Sequence, residues 1–186
     1  MNREVRRLGL EYLNNMVGAD NPGTVLTEMM EAYGQDVWNY VYFLTKRRDV
    51  ADDISQEVFL RALQHIQHFE GRSSVKTWLF AIARNLTLNH LKSAFIRKVT
   101  LVDWVSPKSH QRSAEMEAIG SMEVSRIWQY VLSLPFKLRE VLLLEFHYQI
   151  PRREIAALLD ISEGTVKSRL HRARVRMEVL LKGDEA

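Results

Sequence analysis

An all-α fold, built as two small helical domains joined by a flexible linker, is predicted by three features of the chain. Gly and Pro are sparse, 8 and 4 in 186 residues, so long stretches are free of helix breakers. Apolar residues recur every three to four positions over long windows, which is the period of an amphipathic helix rather than a strand. That recurrence lapses once, between Lys98 and Ser121, and resumes near Met122. A length near 190 residues suits one domain or two small ones, and a hydrophobic content of 46% is enough to fill a core.

Residues 1–24 form a weakly amphipathic arm that ends in a turn at Asn21-Pro22-Gly23, and no function is assigned to it. The first domain is expected over residues 25–97. Its first stripe is Leu26, Met30, Tyr33, Val37, Val41 and Leu44, with Gly34 a point where a helix breaks or begins. Ala51, Ile54, Val58, Ala62 and Ile66 make the second stripe, and Leu79, Ile82, Ala83, Leu86 and His90 the third. Residues 98–121 hold Ser-Pro-Lys-Ser-His-Gln-Arg-Ser and no periodicity, and read as the linker. The second domain, 122–183, starts with Val124, Ile127, Trp128 and Val131. Pro135 separates that helix from the next, which carries Leu138, Val141, Leu142, Leu144 and Glu145.

Composition removes several classes of function. The chain has no cysteine, so disulfides, thiol nucleophiles and cysteine-ligated zinc or iron–sulfur sites are excluded. No run of 18 apolar residues exists, and the first thirty residues lack the apolar core and cleavage site of a signal peptide. A cytoplasmic protein without membrane insertion is expected.

The net charge is only +3, but its distribution is uneven. Between Gly71 and Val102 stand Arg72, Lys76, Arg84, Lys92, Arg97 and Lys98 with no acidic residue. Between Gly164 and Met177 stand Lys167, Arg169, Arg172, Arg174 and Arg176, again with no acid. Asp49, Asp52, Asp53 and Glu57 make an acidic cluster. A single charge run usually marks a solvated face, but one basic segment per domain points to a polyanion such as nucleic acid.

Residues 152–181 carry a helix-turn-helix pattern. Ile155, Ala156, Leu158 and Leu159 give a short helix, Asp160-Ile161-Ser162 a tight turn, and Ser162 an N-cap. In the following helix Val166, Leu170, Ala173, Met177 and Leu180 form the core face. Lys167, Ser168, His171, Arg172 and Arg174 then lie away from the core, where such side chains meet base edges and phosphates in a major groove.

Two further faces belong to the first domain. Asp53, Gln56, Glu57, Leu60 and Gln64 share the side opposite the second stripe. Such an acidic face suits a basic protein partner, although Asp52 and Asp53 would equally stabilise the positive end of their helix. Trp78, Ala81, Asn85, Leu88 and Lys92 line the next helix after a small polar loop. Ring, amide and ammonium together suit unstacked bases, although a lone Trp also serves as core.

Asp-Ile-Ser-Gln-Glu-Val-Phe-Leu-Arg-Ala at 53–62, the run from Phe69 to Asn85, and Gly-Thr-Val-Lys-Ser-Arg-Leu-His-Arg-Ala-Arg at 164–174 occur in one order. Together they resemble the extracytoplasmic-function sigma factors, the two-domain class of bacterial initiation factors. The resemblance runs from about residue 25 to 182. It implies that Asp53, Gln56 and Glu57 bind core RNA polymerase, and that the largest and second-largest subunits are the partners. It implies that Arg72, Ser73, Ser74, Lys76, Trp78, Asn85 and Lys92 recognise and open the minus-ten promoter element. It further implies that Thr165, Lys167, Ser168, His171, Arg172 and Arg174 read the minus-thirty-five element, and that an anti-sigma factor covers these surfaces. Three positions depart from the family pattern: Val75 where many members have an aromatic, Asn89 where many have Asp, and Ile150-Pro151-Arg152 in place of a polar cap.

A linker of about 25 residues spans at most roughly 85 Å when extended, enough for two separated promoter elements. The competing readings are a dimeric helix-turn-helix regulator on a palindromic site, and an enzyme using His65 and His68 with Glu57 or Glu70. The latter lacks a nucleophile or third ligand placed by spacing, so no catalytic residue, metal or cofactor is expected. The apolar face of the last helix is committed to the core, which weakens a membrane-surface role.

Overall fold

A computed structural model describes residues 22–100 and 122–183, and among these every regular element is helical. The N-terminal set comprises α1 (Pro22–Thr45), α2 (Arg48–His65) with a 3₁₀ turn at Ile66–His68, and α3 (Val75–Thr100). The C-terminal set comprises α4 (Met122–Ser133), α5 (Phe136–Leu142), α6 (Arg152–Leu159) and α7 (Glu163–Gly183).

Helix α1 starts earlier than its sequence suggests. Pro22 and Gly23, expected in a turn, are its first residues; a proline there has no N–H to lose and its φ already suits a helix. Gly34 interrupts nothing, because α1 runs straight through it. The buried stripe is also rotated at its start. Val25 and Met29 fill the core, whereas Met30 is 44% exposed. Further along, Val37, Tyr40, Val41 and Leu44 are buried, so the wide apolar sector of α1 faces two neighbours at once.

The second stripe is buried throughout, at Ala51, Ile54, Val58, Ala62 and Ile66. Its acidic start differs from expectation. Asp49 occupies the first turn of α2, while Asp52 accepts a 2.6 Å hydrogen bond from the Trp38 indole N–H of α1. Asp52 therefore ties two helices together instead of serving the helix dipole. On α3, Leu79 and Ala83 are fully buried, Ile82 and Leu86 half-buried, and Thr87 returns its hydroxyl to the Ala83 carbonyl at 2.8 Å. The helix continues to Thr100, three residues into the stretch expected to be linker; the rest of that linker and the expected arm up to Asn21 lie outside the described residues.

Pro135 parts α4 from α5 as expected. Helix α5 then widens into a π-helical turn at Leu143–His147, closed by Tyr148 N–H to the Leu143 carbonyl at 3.0 Å. Gln149 carries a positive φ of 54° as the chain reverses. Pro151 opens α6 without a side-chain cap, its carbonyl accepting from the N–H groups of Glu154 and Ile155 at 2.8 and 3.0 Å. The turn after α6 places Asp160 in the left-handed region at φ 54°, and Ser162 then caps α7 by accepting from the Thr165 N–H at 3.1 Å. Val166, Leu170 and Ala173 form the buried face of α7, as their spacing requires, with Met177 and Leu180 half-buried beyond them.

The two sets of helices share one hydrophobic core. Tyr40 of α1 stacks on Phe80 of α3 with ring centroids 4.6 Å apart, and Tyr148 meets both rings edge-on at 6.0 and 4.5 Å. Phe43 of α1 stacks on Trp128 of α4 at 4.6 Å. Helices joined only by an expected flexible linker are thus docked face to face.

Candidate nucleic-acid interface

The helix-turn-helix presents its polar residues outward. Because Val166, Leu170 and Ala173 are fixed inward, Lys167, Ser168, His171 and Arg172 are exposed, with Thr165 half-buried at the start of the helix. Local hydrogen bonds order this face. Ser162 and Thr165 share a 2.9 Å hydroxyl contact, Ser168 donates to the Thr165 carbonyl at 3.0 Å, and Arg172 Nε donates to the Ser168 carbonyl at 3.3 Å. Arg174 is exposed too, but its guanidinium lies over the Phe146 ring at 4.9 Å, toward α5.

The loop before α3 is built differently. Gly71 has φ 65°, a conformation that costs a glycine little, and it turns the chain toward Arg72 and Ser73. Arg72 is exposed and pairs with Glu70. Ser74 caps α3 by accepting from the Thr77 N–H at 3.0 Å, while Ser73 donates to the Ser74 carbonyl at 3.3 Å. Val75, where an aromatic was the family expectation, is buried in the first turn of α3. Trp78 is half-buried, packs at a tilt against Phe69 with ring centroids 5.0 Å apart, and also lines an open cleft. Asn85 and Lys92 are exposed. Lys76 is engaged with the neighbouring helices, 2.5 Å from Asp36 and 5.9 Å from the centroid of Tyr148.

On α2, Asp53 and Gln56 are exposed, and Glu57 is half-buried in a 2.6 Å pair with Arg61. Leu60, 50% exposed, adds an apolar spot to this face. It lies on the opposite side of the helix from the buried second stripe, as its spacing predicts.

Two features escape sequence reasoning. The first is an apolar groove of about 830 Å³ on the C-terminal set, lined among others by Ile127, Trp128, Val131, Phe146, Met177 and Leu181. Its walls come from three helices, so no single stripe announces it. Phe146, inside the π turn, is 52% exposed.

The second is a set of polar contacts between the two helical sets. Glu140 is 1% exposed; it accepts from Arg84 Nε at 2.9 Å and from the Tyr40 hydroxyl at 3.4 Å. Burial pushes its carboxyl above the usual range, and the Arg84 guanidinium opposes that rise. Burial likewise raises the Tyr40 phenol well above its ordinary value, with the Glu140 charge adding to it. Arg139 donates to the carbonyls of Leu132, Leu134 and Leu44 at 2.9, 2.8 and 3.2 Å, and burial lowers its pKa. Thr77 donates to Glu154 at 2.9 Å, and Tyr148 to the Asp36 carbonyl at 3.1 Å. The spacing held no signal for this burial, because Arg139 and Glu140, set between Leu138 and Val141 in a helix, suit a solvated face equally well.

Among the described residues no group of three or more His, Asp or Glu is placed to hold a metal, and no helix is long and apolar enough to cross a membrane.

Three surfaces are therefore presented on one helical body: an acidic helix face, a loop-and-helix face with Trp78, and a recognition helix. Comparison with known proteins identifies the set. Residues 29–94 match the family model for sigma-70 region 2, and residues 125–177 match that for sigma-70 region 4. The chain belongs to the extracytoplasmic-function sigma factors. It is 31% identical to the ECF RNA polymerase sigma factor SigM of Bacillus subtilis, over 83% of this chain and 94% of that protein. It is 34% identical to the ECF sigma factor SigC of Mycobacterium tuberculosis, over 84% of this chain and 83% of that one. Among solved structures, the Bartonella quintana sigma factor RpoE, in complex with the anti-sigma factor NepR, superposes with a TM-score of 0.70. It is 24% identical, and the match covers 84% of this chain and 96% of that one. CnrH, in complex with the cytosolic domain of CnrY, gives 0.66 at 20% identity over 97% and 98% of the two chains. The function follows from the family: this sigma factor directs promoter-specific transcription initiation by RNA polymerase, a regulatory role rather than a catalytic one.

Proposed function

We propose the following division of labour over the surface of this sigma factor. Asp53, Gln56 and Glu57 form the face of region 2 that docks on core RNA polymerase, on its largest subunit. Arg72, Ser73, Ser74, Lys76, Trp78, Asn85 and Lys92 recognise and open the minus-ten element. Thr165, Lys167, Ser168, His171, Arg172 and Arg174 serve the minus-thirty-five element. Within these sets Ser74 acts by capping α3 and Lys76 by its pair with Asp36, so both shape the loop. The observation that carries the reading is that Asp53, Gln56, Lys167, Ser168, His171 and Arg172 are all exposed, while residues three or four positions apart, such as Ile54, Val58 and Ala62 on α2 and Val166, Leu170 and Ala173 on α7, are used for the core.

The apolar groove beside Trp128 and Phe146 gives a helix from a protein partner a place to bind, which supports an anti-sigma factor as a further partner. The protein works in the cytoplasm, with neither cofactor nor metal, and outside the membrane.

The test is transcription from a genomic fragment library by core polymerase with and without this protein. New start sites with two unlike upstream elements are expected. A palindromic site bound by a dimer without polymerase would support the helix-turn-helix regulator instead.

A further inference from the structure

Helix α3 carries the minus-ten face, yet part of it is occupied in the free chain. Thr77 and Arg84 stand seven residues apart, two turns along one side of α3. Each is met by a carboxylate of the C-terminal set: Thr77 by Glu154 at 2.9 Å and Arg84 by Glu140 at 2.9 Å. Arg84 belongs to the acid-free basic segment and directly precedes the exposed Asn85. Its side chain is 17% exposed, and Glu140 neutralises it. Alongside, Arg72, Ser73, Thr77, Trp78 and Ala81 face Arg153, Glu154, Ala157 and Leu158 across a cleft of about 390 Å³.

We propose that Glu140 stands in for a DNA phosphate, holding Arg84 in a self-occluded state of the free sigma factor, and that Arg84 becomes a phosphate-binding residue once region 4 swings away. The inference rests on the promoter-binding role given above to α3. Both hydrogen bonds of Glu140 are to the N-terminal set, Arg84 and Tyr40, while within its own set the charge of Arg169 acts on it less than that of Arg84. A buried ion pair is a suitable latch because it is nearly balanced. Separation returns both charges to water, which offsets most of the attraction lost. A phosphate can then take the place of the carboxylate, since a guanidinium pairs with either in the same geometry. The apolar contacts of Tyr40, Phe80 and Tyr148 add closure, and the latch gives them register.

Absence of cysteine makes the test direct. A chain with Glu31→Cys and Val179→Cys, both exposed positions, is labelled with a donor and acceptor pair, and single-molecule transfer reports the separation of the two sets. The parent should show one short-distance population. Glu140→Gln, which keeps volume and removes charge, and Glu140→Ala should each add a longer-distance population while helical circular dichroism stays at the parent level. Unchanged distances in both variants would overturn the latch. In the second arm, the labelled-free chain and its Arg84→Ala variant are assembled with core polymerase on a promoter fragment of varied salt. The variant should lower the log–log salt slope by about 0.7 to 0.9, the share of one phosphate contact. An unchanged slope would remove Arg84 from the DNA-binding set. If the parent holoenzyme binds no promoter at all, the functional reading fails, whereas the distance measurement still decides the latch.

Discussion

Ser162 illustrates how far one residue carries this fold. Its hydroxyl satisfies the Thr165 N–H at the point where the turn hands over to the recognition helix. Ser162→Ala should cost about 1 kcal/mol in chemical denaturation, a typical loss for an N-cap hydroxyl. An unchanged midpoint would show that the Ser162 hydroxyl adds nothing to the stability of α7. His147 supplies a pH dependence. It lies edge-on to Trp128 at 5.0 Å, and burial lowers its pKa, with Asp36 opposing and Lys76 assisting. A histidine whose pKa is depressed by folding favours the folded state above its unfolded value near 6.5 and loses that advantage as pH falls through the folded value. Thermal stability should therefore decline as the solution is acidified below about pH 6.5. Replacing His147 with Gln should flatten that part of the profile, and a parallel decline in both proteins would assign it elsewhere.

Among the elements, α2 and α7 were readable because each is amphipathic in the simple sense. One face is buried and apolar apart from Ser55 of α2, and the other is left for a partner. The pair between Glu57 and Arg61 is half-exposed, so it adds at most roughly 0.5 kcal/mol to α2. Glu57→Lys should therefore leave the unfolding midpoint nearly unchanged while weakening association with core polymerase several-fold in a pull-down or polarisation assay. Equal loss of stability and binding would instead make Glu57 structural. Helix α1 was harder to read. It packs on α2 and α3 along one side and touches α5 on another, so its apolar positions do not reduce to a single stripe and Met30 was misplaced. The π turn after α5 was not readable at all: one extra residue in a turn leaves no mark in a pattern that still alternates apolar and polar positions.

Taken whole, the molecule has one core, which Tyr40, Phe80 and Tyr148 carry across both sets of helices. Trp38 and Trp78 report on the N-terminal set, and Trp128 on the C-terminal set together with its stacking on Phe43. With Trp104 replaced by Phe, variants retaining a reporter in one set only should unfold at the same denaturant concentration. Two separated midpoints would show that docking is weaker than either set's own packing.

What the chain's residues alone determined was the helical class, the broken periodicity between two blocks, the helix-turn-helix with its cap, and the outward faces of α2, α3 and α7. Each of these follows from local spacing, because burying one side of a helix dictates which residues remain on the other. What only the tertiary structure decided was the docking of the two blocks, the groove beside Phe146, and the partners of Arg84, Arg139, Glu140 and Glu154. The docking depends on residues between 56 and 112 positions apart meeting in space, as Arg84 does with Glu140 and Tyr148 with Asp36. A buried charge needs a partner, since burial of a lone charge is too costly, but periodicity shows neither that Glu140 is buried nor where in the chain its partners lie.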